Sequence, residues 1–340
     1  MGLVLRWLSA LNLAATLAAF GQTSFPLKPA KARIPDAEIL RVDKIWDRAP
    51  HNAFTDLIRF RERWFCAFRE GGKHVSADGA IRVLSSADAQ RWESSALLTY
   101  PVADLRDPKL TITPDNLLML TTAGAMHPPS QIKHKSLVWF SSDGRDWTSA
   151  EKIGDPDVWL WRVTWFQNRA YSMGYSTAGE RFLRAYVSRD AHQFDTWNPR
   201  VFTEGYPNET AIVFQPDDSA VCLLRRDGDP ATAQVGLSRP PYRGWTWRDL
   251  GVRIGGPNIL RLPDGRILAG VRLYDGRQRT SLCWLDMEQP ALKEFLTLPS
   301  GGDSSYAGLV FHDDILYVSY YSSHEGKSSI YLAQVRLRGY

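Results

Sequence analysis

In the stretch Gly302-Asp303-Ser304-Ser305-Tyr306-Ala307-Gly308, one phenol stands among small residues just before an apolar run. A tyrosine so placed is either an aromatic packed at a strand edge or a side chain delivered to a ligand with clearance around it. Its phenol, with an ordinary pKa of about 10, becomes a useful nucleophile only where a base takes its proton. Elsewhere Glu209 and Arg225 stand at the two ends of a hairpin-like segment, and Arg279 opens another apolar run. A guanidinium can hold a carboxylate through two parallel hydrogen bonds, which a lysine cannot. Read singly, Glu209 can cap a turn, Arg225 can pair with Asp227, and Asp78-Gly79 is first of all a turn signal. His74, close before Asp78, offers a group that exchanges protons near neutral pH.

Groups so far apart in sequence act together only if repeated elements carry them to one place. Short apolar runs with strand periodicity follow one another to the C-terminus, parted by Gly, Asp, Asn and Pro turns, with no long helical period. Six units recur: NAFTDLIRF with RWFCAFRE, PKLTITPDNLLMLTT, VTWFQNRAYSMGY, TAIVFQPDDSAVCLLRR, NILRLPDGRILAGVR and AGLVFHDDILYVSYY. Each is a strand, a tight turn and a second strand, with TPDN, QPDD, LPDG and HDDI as the turn in four of them. The pattern predicts an all-β chain folded as a six-bladed β-propeller of four-stranded antiparallel blades. The early run AEILRVDKIW is expected to supply the outer strand of the last blade, closing the ring and removing exposed sheet edges. In such a ring the starts of the innermost strands surround a central pocket, and the segments arriving there are HNAF, DLRDPK, WLWRV, YPNETA, GGPNI and DSSYAG. Trp159 and Trp165 are expected between blades, and Trp161 either there or stacked on a ligand.

The 340 residues are 44% hydrophobic and 23% charged, with net charge +4 and no run of like charges, which is the profile of a folded chain and gives nucleic-acid binding little support. Residues 1–21 read as a secretory signal peptide, with Arg6 ahead of an apolar run from Trp7 to Phe20; an uncleaved anchor is the alternative. Residues 22–37 read as a Pro/Lys-rich linker and 38–340 as one propeller domain. A secreted or periplasmic monomer with no membrane span after signal cleavage is the expectation. Cys66, Cys222 and Cys283 lie in apolar runs as core residues; one disulfide is open to an exported chain, and the sequence does not pair them. No metal and no cofactor is expected.

Two turn motifs, Ser86-Ala87-Asp88-Ala89-Gln90-Arg91-Trp92 and Ser141-Ser142-Asp143-Gly144-Arg145-Asp146-Trp147, with a weaker copy from Ser188 through Asp190 to Phe194, resemble the Asp box of sialidase-like propellers, one residue shorter than its usual form. Their role there is local, a carboxylate and a hydroxyl taking up backbone groups of a tight turn. The resemblance to exo-sialidases extends to Asn208-Glu209 with Arg225, to Arg279, and to Ser304-Ser305-Tyr306-Ala307-Gly308, in that family's order and over nearly the whole mature chain. It implies Tyr306 as nucleophile, Glu209 as its base, Arg225 and Arg279 as a clamp on the substrate carboxylate, and Asp78 on a loop of the first blade as acid. A neutral phenol suits a sugar that carries a carboxylate on its anomeric carbon, because an Asp or Glu nucleophile would meet like-charge repulsion.

The chain also departs from that family. The first-blade arginine, found there in an R-I-P motif, is absent: the strand begins His51-Asn52-Ala53-Phe54, and Arg33-Ile34-Pro35 lies upstream in the linker. The family's supporting Glu in the sixth blade is replaced by Val318-Ser319-Tyr320-Tyr321. Arg69 or Arg106 could supply the missing charge, or His51 and Asn52 could make neutral hydrogen bonds to a different sugar. The expected function is an exported retaining glycoside hydrolase acting on a terminal sialic acid or a related acidic sugar of a glycan. The alternatives are a non-catalytic carbohydrate-binding propeller and a glycosidase for another sugar.

Overall fold

A computed structural model describes residues 36–338, and the candidate signal peptide, most of the linker and Arg33-Ile34-Pro35 lie outside them. Twenty-four strands form six four-stranded antiparallel sheets, with no helix among the described residues. The six inner strands are His51–Phe60, Ala103–Ile112, Val158–Phe166, Pro207–Phe214, Ile254–Arg261 and Ser304–His312. Each touches the inner strand of the next blade, and the sixth returns to the first, so the sheets close into a six-bladed propeller. Ala37–Trp46 pairs with Ser329–Leu337, Ala37 opposite Leu337 and Trp46 opposite Ile330, and provides the outer strand of the sixth blade as the sequence predicts. No helix of the described residues is long and apolar enough to cross a membrane.

Strands buried on both faces explain the near-continuous apolar runs of the sequence. Apolar clusters fill the spaces between successive blades, such as Phe65, Val83, Leu105, Leu120 and Trp139 between the first and second. Cys66, Cys222 and Cys283 are free thiols buried in these layers, and burial raises all three above the ordinary thiol pKa. At the hairpin end of the blades the turn carboxylates act locally. Asp88 accepts the N–H groups of Gln90 and Arg91 at 2.9 Å, Asp143 those of Arg145 and Asp146, and Asp190 those of His192 and Gln193.

The opposite end differs from blade to blade because every inner strand is interrupted there. In each, two residues face one on the second strand: Phe54-Thr55, Asp107-Pro108, Trp161-Arg162, Asn208-Glu209, Gly256-Pro257 and Tyr306-Ala307. Such a bulge bends the strand and re-aims the side chains it carries. Phe54, Asp107, Gly256 and Tyr306 accordingly sit in the left-handed region, at φ 63°, 51°, 56° and 53°. For residues other than glycine this conformation costs on the order of 1–3 kcal/mol and persists only where neighbours enforce it.

Candidate active site

The bulges bring Tyr306 of the sixth blade against Glu209 of the fourth. The Tyr306 hydroxyl donates to Glu209 Oε1 at 2.6 Å, and Arg225 Nη1 donates to the same carboxylate oxygen at 2.8 Å and to the phenol oxygen at 3.0 Å. The Gly256 N–H donates to Glu209 Oε2 at 2.9 Å. Arg225 is held from behind by Asp227, which also anchors Asn208. Burial pushes the Glu209 carboxyl up, yet Arg225, Tyr306 and the Gly256 N–H outweigh it, and the group stays ionised below its ordinary value. Burial and the nearby Glu209 charge push the Tyr306 phenol well above 10, so it attacks only as its proton leaves.

The strained backbone under Tyr306 is clamped on all sides. Arg272 Nε donates to the Ser304 carbonyl at 2.7 Å, Thr55 Oγ1 to the Tyr306 carbonyl at 2.8 Å, and Asn258 Nδ2 to the Ala307 carbonyl at 2.9 Å. Gly256 must be glycine: a Cβ there would lie 2.8 Å from Tyr306 Cδ2, in addition to its positive φ. The small residues flanking Tyr306 therefore serve close packing of its own loop, besides any clearance for a ligand.

Aromatic rings line the remaining wall. Phe54 and Trp161 stand edge-on to Tyr306 with centroids 5.1 and 6.1 Å away. Asp107 and Lys109, on the inner strand of the second blade, are both buried. Burial raises Asp107 to about 6 and lowers Lys109 to about 8, each against the opposing charge of the other. Lys109 Nζ is 4.7 Å from the Trp161 ring centroid and 5.8 Å from that of Tyr306. Asp107 Oδ1 and Trp161 Nε1 are buried without a hydrogen-bond partner. Arg162 grips Asp56 through both terminal guanidinium nitrogens at 2.9 to 3.1 Å, while Asp56 accepts the Leu110 N–H, tying three blades together.

Several residues expected at the site have other places. Arg279 lies on the third strand of its blade, and its guanidinium binds Glu294 of the outer strand at 2.6 and 3.0 Å and Asp275. The fifth-blade arginine beside Tyr306 is Arg272, whose guanidinium carbon is 5.5 Å from the phenol ring centroid and which also meets Asp303, Tyr321 and Tyr274. A sequence signal for it existed: Arg272 follows Pro263 of the LPDG turn at the same interval as Arg225 follows Pro216 of QPDD. Asn52 is fully buried and bonds the Ala49 and Ser328 carbonyls, stitching the first blade to the sixth. Arg69, also fully buried, bonds Asp104 at 2.8 Å and the loop atoms Lys73 O, Ser76 O and Ser76 Oγ. Arg106 packs on the Phe54 ring and donates to the His74 carbonyl. Asp78 is exposed and accepts the Gly72 N–H with both oxygens; Ser76 and that N–H hold it below the ordinary carboxyl value, the wrong direction for an acid. His51 lies beside Asp303, 3.6 Å away.

No protein-family model matches the chain, and no curated protein is similar to it in sequence. Solved structures are similar in fold. A protein of unknown function from Dyadobacter fermentans superposes with TM-score 0.78 at 20% identity, covering 90% of this chain and 100% of that one. The α-L-arabinanase of Penicillium chrysogenum, solved with arabinobiose, gives 0.67 at 12% identity, covering 87% and 98%. The sialidase of Trypanosoma rangeli gives 0.66 at 12%, covering 84% of this chain and 55% of that one. Two of these three neighbours are glycoside hydrolases, and this chain has the sialidase-like six-bladed propeller fold that they share.

Proposed function

We propose that the protein is a retaining glycoside hydrolase of the sialidase type, acting on a terminal sialic acid or a related acidic sugar of a glycan. The observation that carries this reading is the Tyr306–Glu209–Arg225 triangle, with its 2.6 Å hydrogen bond from phenol to carboxylate. In the first step the Tyr306 oxygen bonds the anomeric carbon as its proton passes to Glu209 and the bond from that carbon to the departing glycosidic oxygen breaks. Arg225 stabilises both the carboxylate and the phenolate character that develops. Water then displaces the tyrosine, and Glu209 returns the proton. Arg225 and Arg272 flank Tyr306 and would face the negative charge of an acidic sugar. The apolar N-terminal stretch favours export, so the substrate would be met outside the cytoplasm.

Tyr306→Phe, which keeps the ring packing and deletes the nucleophile, is expected to abolish hydrolysis of an aryl sialoside with unchanged thermal unfolding. Retention of turnover by this variant would overturn the reading. A second reading rests on Phe54, which with its neighbours stands where the resemblance called for an arginine. An apolar ring there suits a neutral sugar, and activity on a panel of aryl glycosides confined to neutral sugars would establish it instead. Calorimetric binding of sialic acid with no hydrolysis at any pH would mark a binding propeller.

A further inference from the structure

The reaction proposed above needs a group that protonates the departing oxygen, and Asp78 is engaged in closing its own loop. That loop, residues 72–79, is nonetheless built with unusual care. Arg69 holds it from inside through Lys73 and Ser76, Arg106 holds the His74 carbonyl at 3.1 Å, and Asp78 ties its two ends. Of the loop's side chains, His74 is the one that reaches the sixth blade. Its Nδ1 lies 2.8 Å from Asp303 Oδ2, across 229 residues of sequence and across the closure of the ring. The other oxygen of Asp303 accepts the Tyr321 hydroxyl at 2.6 Å and Arg272 Nη2 at 3.3 Å, and the Asp303 N–H is fixed by Ser323 Oγ. Burial pushes this carboxyl up, but His51, His74, Tyr321 and Arg272 hold it far below its ordinary value. The His74 ring stands edge-on to Phe54 at 5.2 Å, and Phe54 in turn meets Tyr306.

We infer that His74, oriented by Asp303, is the general acid and base of this site, a role that rests on the glycosidase reading. Asp303 accepts from Nδ1–H, which leaves Nε2 to exchange a proton with the substrate. In the first half-reaction Nε2–H protonates the glycosidic oxygen as its bond to the anomeric carbon breaks and the Tyr306 oxygen bonds that carbon. In the second, neutral Nε2 takes a proton from the attacking water as the bond to Tyr306 breaks. Asp303 is the positioning residue. His51, His74 and Asp303 also bring three metal-ligating atoms within 4.8 Å of one another. Arg272 on Asp303 and Arg106 on the His74 loop set two positive charges beside that space, which disfavours a divalent cation there.

The test compares two sialosides, sialyl-lactose with its poor leaving group and a nitrophenyl sialoside whose phenolate leaves unaided. His74→Ala should lower kcat/KM for sialyl-lactose by about 10²- to 10⁴-fold. The nitrophenyl substrate should be far less affected, and added azide should restore its turnover by intercepting the enzyme-bound sugar. Asp303→Asn should reproduce the leaving-group dependence in milder form. Equal losses on both substrates, or selective loss in Asp78→Asn instead of His74→Ala, would overturn the assignment. Nitrogen NMR of the imidazole supplies an arm independent of turnover. Wild-type His74 should carry its proton on Nδ1 when neutral and lose that preference in Asp303→Asn; a neutral ring protonated on Nε2 in the wild type would refute the dyad. Wild-type protein inactive on both sialosides would count against the glycosidase reading, while the NMR arm would still decide the dyad.

Discussion

The two sides of the pocket use charged residues in opposite ways. On the side of blades four to six, Glu209, Arg225 and Arg272 meet Tyr306 directly, and each charge is matched by a group of the site itself. On the side of blades one and two, Arg69 and Asp78 are engaged in the loop that carries His74, and Arg106 braces that loop while packing on the Phe54 ring. Arg225 and Arg272 differ from Arg69 and Arg106 in standing against Tyr306 itself, although Arg272 also braces the Ser304 carbonyl and Asp303.

The largest expected effect lies on the brace side. Arg69→Met should destabilise the protein by about 3–5 kcal/mol, because Asp104 would keep a buried charge without its partner. Chemical denaturation checks this; a loss under about 1 kcal/mol would mean that water or Arg106 replaces the pair. On the ligand side, Arg272→Ala should lower kcat/KM for an acidic sugar by about 10- to 100-fold, the worth of one or two charged hydrogen bonds. Arg279→Ala, at the outer strand, should leave it within a factor of about two and lower stability slightly. Equal kinetic effects from the two arginines would erase the distinction between them.

Asp107 offers a subtler contrast. Its folded pKa of about 6 lies above the unfolded value near 3.9, so the unfolded chain releases this proton first. Stability associated with the protonated form is therefore present below about pH 4 and lost as pH rises to about 6. Asp107→Asn should remove that loss, on the order of 3 kcal/mol, and gain in stability relative to the wild type above pH 6. Unfolding midpoints measured from pH 4 to 7 would show the two curves diverging; parallel curves would mean that Lys109 already neutralises the buried carboxylate.

Much of the fold was legible in the sequence because hairpins are local. The turns TPDN, QPDD, LPDG and HDDI fix register within a few residues, and strands buried on both faces declare themselves as apolar runs. Even ring closure was readable, since AEILRVDKIW had no other partner for its edge. Tyr306, Glu209 and Arg225 were legible for a related reason, each standing at the end of a strand whose place in the repeat was already known. The bulges were not: no residue pattern common to Phe54-Thr55, Asp107-Pro108 and Tyr306-Ala307 announces that two residues will face one. Those bulges re-aim the side chains that the inner strands carry, and so only the tertiary structure could place Asp107 near Tyr306, whereas Arg272, on a second strand, had a sequence signal in its interval from the LPDG turn. The pairing of His74 with Asp303 is likewise a property of the closed ring, made between a loop of the first blade and the entry to the sixth. Sequence set the strands and the inventory of chemistry; the packing of six twisted sheets around one axis set which of those groups can meet.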